Sequence, residues 1–178
     1  GFTLSGSENY IINSSHTYVS WNWKANGSGS SNTDGTINTT STSANVDAGF
    51  SIITHTGNGN ANATIGHGLS KAPELVISKV RNAAGYIWHV FVKELGANHL
   101  RLDVTNAAGN DWEGHEATTA SVIQLAGDAG ASFNQTSKNT VTYAWHSVEG
   151  YSKVGSYSGN GSTDGPFVHT GFRPAYVM

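Results

Sequence analysis

The feature that most constrains this chain is that it repeats itself. One block, "GFSIITHTGNGNANATIGHGLSKAPELVI", begins at Gly49, and a second, "GYSKVGSYSGNGSTDGPFVHTGFRPAYVM", begins at Gly150. Both open Gly-aromatic-Ser, at Gly49–Phe50–Ser51 and Gly150–Tyr151–Ser152, and both reach Gly-Asn-Gly, the second one residue later. His67 and His169 follow at matching positions, and Pro73 and Pro174 each precede Leu75 and Tyr176 by two. A second self-match relates "GFTLSGSENYIINSSHTYVSWNWKANG" to "VIQLAGDAGASFNQTSKNTVTYAWHSVEG". There Leu4 aligns with Leu125, Ile12–Asn13 with Phe133–Asn134, and Trp23 with Trp145. Two collinear matches with a period of roughly 100 residues predict stacked copies of one unit. The expected layout is the C-terminal part of a preceding repeat (1–27), a Ser/Thr/Asn/Gly-rich linker or surface-draped loop (28–48), a complete unit (49–149), and the N-terminal part of a following repeat (150–178).

The local pattern within the unit is β. "FSIITHT" (50–56), "ELVISKVR" (74–81), "YIWHVFVKEL" (86–95), "HLRLDVT" (99–105), "SVIQLAG" (121–127) and "NTVTYAWHSVE" (139–149) read as strands. They carry β-branched and aromatic residues, several in strict alternation. Turns fall at Gly57-Asn58-Gly59 and Asn82–Gly85, where Asn and Gly accept positive φ. No amphipathic helix period stands out. The fold class expected is all-β: an antiparallel β-sandwich or jelly-roll-like unit, tandemly repeated, with truncated neighbours at both ends.

Charge and composition exclude several functions. A net charge of −3 provides no basic footprint for nucleic acid. No run of 18 apolar residues exists to insert in a membrane, and the first residues have neither the basic start nor the apolar stretch of a signal peptide. With no Cys, disulfides and thiolate metal sites are ruled out. The eight His form no H-x-H or H-E-x-x-H pair, so no metal site and no cofactor is expected. His67 and His169, equivalent across the repeat, read as turn hydrogen-bonders. No G-x-S-x-G elbow is present. Asp103, Asp111, Glu113 and Glu116 offer carboxylates, but an edge strand and a polar loop explain them without glycosidase chemistry. Asp34-Gly35 and Asp164-Gly165 lack the ladder of a calcium loop and read as turns. The chain is not expected to be an enzyme.

Of the five Trp, Trp23, Trp88 and Trp145 lie in strand-like stretches and are expected to anchor the core. Trp112 differs, sitting in the polar stretch "NAAGNDWEGHE". An indole there either plugs a local gap or offers its face to a sugar. In the second reading Asp111, Glu113 and His115 bond the hydroxyl rim, and these four residues form the candidate glycan site.

"GFSIITHTGNG", "TIGHGLSKAPELVISK", "NTDGTI" and "TYAWHSVEGYSKVGSYSGNGSTDGPFVHTGFRPAYVM" resemble a repeated domain of tail-associated and fibre-like structural proteins of marine tailed phages, cyanophages especially. The resemblance covers nearly the whole chain. It implies a virion structural protein, a tail fibre or tail-associated component with a role in host attachment. Such a protein is assembled in the host cytoplasm and acts outside the cell. Its implied partners are other copies of the chain, other virion tail proteins and a host-surface glycan. The resemblance carries no catalytic residues. A carbohydrate-binding module of a secreted or cell-surface protein is the alternative.

Overall fold

The computed structural model describes residues 3–4, 15–96, 98–109, 115–125 and 133–178. It is all-β, with no α-helix among the described residues and one 3₁₀ turn at Lys93–Leu95. The strands are β1 (Ser41–Asn45), β2 (Phe50–Thr56), β3 (Thr64–Gly66), β4 (Leu75–Val80), β5 (His89–Val92), β6 (His99–Arg101), β7 (His115–Thr118), β8 (Val122–Leu125) and β9 (Asn139–Trp145). Two antiparallel sheets result. One has the order β1-β2-β9-β4-β5-β6 and the other the order β3-β8-β7.

Alternation along the strands decides which side chains meet. Ile53 on β2, Ala144 on β9, Val76 on β4 and Phe91 on β5 share one face of the larger sheet. They join Ile65, Ile123 and Leu125 of the smaller sheet, with Ile37, Ala63 and Leu69 from the connections, in a single buried cluster. The last strand in sequence, β9, is central in space. It pairs with β2 from Phe50↔Trp145 to Thr56↔Asn139, and with β4 from Leu75↔Trp145 to Val80↔Thr140. The larger sheet cannot form until the end of the unit has been made, a non-local pairing that slows folding.

The segment 28–48 is not a linker. Ser30 pairs with Thr42, β1 adds an edge strand to β2, and Ile37 is 7 % exposed within the core cluster. Its polar residues bond within the fold. The Thr39 and Thr42 hydroxyls lie 2.8 Å apart, and Ser43 Oγ donates to Gly27 O and accepts from Asn26 N, both at 2.9 Å. An edge strand needs little apolar surface when its hydroxyls are satisfied. This explains why β1, with the sequence STSAN, has no hydrophobic signature. β3 and β7, of three and four residues, were likewise not expected; each is recruited by β8 between them.

The Gly57-Asn58-Gly59 turn is held by the segment that precedes β9. Gly57 N donates to Lys138 O at 2.9 Å and Gly59 N to Asn134 O at 2.7 Å. A Cβ on Gly57 would lie 2.3 Å from Gln135 O and 2.6 Å from Asn134 C, both backbone atoms. Gly57→Ala is therefore expected to cost about 1–3 kcal/mol by forced backbone shift. A matched fall in thermal midpoint relative to Gly155→Ala checks this, since a Cβ on Gly155 meets nothing within 4 Å.

Candidate interaction surface

The larger sheet has a second face, and it is apolar too. Register places Ile52, Tyr143, Ile77, Val90 and Leu100 in one row across β2, β9, β4, β5 and β6. Phe50, Trp145, Leu75 and Val92 form the next. These residues alternate with the core set, so they point away from it. The rings make a continuous run. Trp88 stacks near Tyr143 at 6.5 Å, Tyr143 near Trp145 at 6.2 Å, and Trp145 near Phe50 at 5.0 Å.

The N-terminal segment carries this run off the sheet. Trp23 sits edge-on to Trp145 at 6.1 Å and 6.5 Å from Phe50. Tyr176 of the C-terminal segment then meets Trp23 at 5.5 Å and Trp21 at 5.0 Å. Residues 15–25 and 153–178 contain no strand, and Trp21 and Trp23 stay 53 % and 42 % exposed. Trp23, Trp88 and Trp145 were expected in the core. Instead they line this outer face: Trp88 and Trp145 share the strand parity of Val90 and Tyr143, and Trp23 is seated there by its ring contacts with Trp145 and Phe50. The ring contacts were not legible in the alternation, which does not say which of two apolar faces is enclosed.

Most of the expected glycan site is not among the described residues. Asp111, Trp112 and Glu113 lie outside the described residues; of His115 only its place in β7, opposite Leu125, is described. The connection that carries them crosses between the sheets. It leaves β6 through a bridge between His99 and Gly109, with N–H···O distances of 3.0 and 3.2 Å, and re-enters at β7. Asp103 is drawn into local structure, accepting the Trp88 N–H at 3.0 Å with Lys79 Nζ at 3.8 Å. Among the described residues no group of three or more His, Asp or Glu is placed to hold a metal ion.

Sequence reasoning singled out His67 among the buried histidines but passed over His55 and His89. His55, His67, His89 and His99 are each no more than 3 % exposed. His55 Nε2 donates to Phe133 O at 3.0 Å, and its Nδ1 has no partner among the described residues. Burial, only partly offset by that hydrogen bond, lowers its pKa from 6.5 to about 4. His89 packs edge-on against Phe133 at 4.5 Å and lies 4.9 Å from His99. Burial, then the neighbouring His99 and Arg101, lowers its pKa to about 3. His67 Nδ1 accepts Leu69 N–H at 3.1 Å, so its Nε2 carries the proton donated to Thr119 O at 3.1 Å. Burial lowers its pKa as well. With their pKa values lowered by burial, all three rings are neutral at neutral pH.

A family profile matches residues 1–178, both flanking segments included. The chain belongs to the DUF7483 family, a domain of unknown function. Comparison with curated proteins and with solved structures finds no match. For this DUF7483 chain, the sheet's outer face and the segments seated on it are the surface from which a function has to be argued.

Proposed function

We propose that the chain is a structural component of a marine tailed-phage virion: a sandwich-like repeat within a tail fibre or tail-associated assembly that takes part in host attachment. The observation that supports this best is the outer face. A sheet whose second apolar face is partly covered by the chain's own flanking segments, with Trp21 and Trp23 of those segments left exposed, is a module suited to be continued by neighbours. The connection between β6 and β7, at the edge farthest from β1, is in this reading the host-facing element and carries Trp112. The ring run also favours a second reading, a carbohydrate-binding module, because sugar rings stack on exposed indoles.

Antibody raised against the purified domain is expected to decorate the tails of particles of the phage that encodes it. Antigen found free in the medium, with bare particles, would favour the carbohydrate-binding module instead. For attachment, particles carrying Trp112→Ala are expected to adsorb more weakly to host cells than the parent. Unchanged adsorption with an intact fibre removes Trp112 from the contact.

A further inference from the structure

An asparagine followed by glycine is open to attack by its own backbone, because glycine has no side chain to shield the N–H that follows. The pair occurs three times in this chain, at Asn26–Gly27, Asn58–Gly59 and Asn160–Gly161. The last two sit at matching places in the two Gly-Asn-Gly blocks and fold into the same local turn. Asn58 Oδ1 accepts Asn60 N–H at 2.9 Å, and Asn160 Oδ1 accepts Ser162 N–H at 3.0 Å. Gly59 and Gly161 have φ of 74° and 68°. A side-chain carbonyl bonded two residues ahead brings its Cγ back toward the glycine N between them. The two sites are thus alike in sequence and in local geometry.

Tertiary packing separates them. Gly59 N donates to Asn134 O at 2.7 Å, Asn58 N to Asn134 Oδ1 at 3.0 Å, and Asn134 Nδ2 to Asn60 O at 2.6 Å. The first of these bonds holds the N–H that an attack on Asn58 has to give up. Gly161 N–H has no hydrogen-bond partner among the described residues. Asn160 and Gly161 are both exposed, and a Cβ on Gly161 would meet nothing within 4 Å. The Asn160 side chain is held at both ends, its Nδ2 donating to Asp164 O at 2.9 Å. Ser162 N–H is therefore a fixed donor on Oδ1, where negative charge develops when Cγ is attacked. Asn26–Gly27 lies between the two cases. Its peptide is clamped by Ser43, whose Oγ accepts Asn26 N–H and donates to Gly27 O, both at 2.9 Å.

We propose that Asn160 is a site of spontaneous backbone modification and that Asn58 is its protected counterpart. Gly161 N gives its proton to hydroxide and bonds to Asn160 Cγ. The Cγ–Nδ2 bond breaks, and Nδ2 leaves as ammonia with a proton taken from water, which restores the hydroxide. Water then opens the cyclic imide. Cleavage between Gly161 N and Cγ leaves aspartate at that position. Cleavage between Gly161 N and the main-chain carbonyl leaves isoaspartate, with the backbone rerouted through the side chain. One water is consumed and one ammonia released, with no oxidant or reductant. Either product adds one negative charge to a chain of net charge −3, and isoaspartate also removes the turn. The inference goes beyond the virion reading and does not depend on it.

The purified chain, incubated in mildly alkaline buffer and mapped by peptide mass spectrometry that separates aspartate from isoaspartate, gives all three rates in one sample. Asn160 is expected to convert at least about tenfold faster than Asn58, whose attack must first break a held hydrogen bond and open the turn around it. Asn26 is expected between them, and isoaspartate is expected among the products. In urea sufficient to unfold the chain, the rates at Asn58 and Asn160 are expected to converge, because the protection is tertiary. Equal rates in the folded chain, or product appearing first at Asn58 or Asn26, overturns the proposal. A difference that persists in urea also overturns it, since local sequence then sets the rates. Aspartate without isoaspartate overturns the cyclic-imide route and with it the role given to Gly161 N.

Discussion

Between about pH 7.5 and pH 4.5 the domain is expected to lose about 2–3 kcal/mol of stability through His55 alone. The sign follows from the direction of the shift. The folded-state pKa is about 4 against 6.5 for an ordinary His, so the unfolded chain binds the proton first as pH falls. The contribution is present in full above about pH 6.5 and is lost progressively down to about 4. A proton on Nδ1 would point a charged donor into a buried site with no acceptor among the described residues. His89, held at about 3, adds a loss of the same sign that continues to lower pH. Urea midpoints measured at the two pH values check this. His55→Gln retains a donor toward Phe133 O but has nothing to titrate, so its acid loss is expected to shrink. Midpoints independent of pH in the parent would falsify the assignment of neutral buried histidines.

Asn134→Ala is expected to cost about 3 kcal/mol, from buried hydrogen bonds broken with their partners left behind. Asn134 is fully buried, accepting Asn58 N–H at 3.0 Å through Oδ1 and donating to Asn60 O at 2.6 Å through Nδ2. It thereby ties the turn after β2 to the segment entering β9. Asn134→Asp keeps the acceptor but replaces the donor, and is expected to be nearly as damaging because a carboxylate is buried against a carbonyl. Chemical unfolding with unchanged denaturant slope is the measurement; a loss under 1 kcal/mol for both variants would show that the turn is held by its backbone bonds alone.

The strands with a large apolar alternation were legible: β2, β4, β5, β6, β8 and β9 all fall within the stretches read as strands. β1, β3 and β7 were not. Each is short, and two of them lie in polar surroundings where no alternation marks them; neighbours that pair with them define them as strands. The outer face was half legible. Trp23, Trp88 and Trp145 were visible as large aromatics in strand-like stretches, but β4 opens with three consecutive apolar residues, Leu75, Val76 and Ile77, which do not show which face is enclosed. His67 was read as a turn hydrogen-bonder from its equivalence to His169, and its ring does bond Leu69 N–H and Thr119 O. His55 and His89 were not singled out, because a neutral imidazole in a core has no motif. Trp112 and its neighbours Asp111 and Glu113 were singled out by sequence alone and lie outside the described residues.

By itself the sequence determined that this chain is β-rich, that it turns at Gly-Asn-Gly, and that the sequence of its flanks resembles that of parts of its centre. Those properties are local or come from comparing the chain with itself. Only the tertiary structure decided that β9 enters between β2 and β4, that the Ser/Thr-rich stretch before Gly49 holds an edge strand, and that Trp23, Trp88 and Trp145 lie on the face away from the enclosed core. Strand order is set by which apolar faces can be buried together across separations of up to 95 residues, as between Phe50 and Trp145, and no local pattern carries that information.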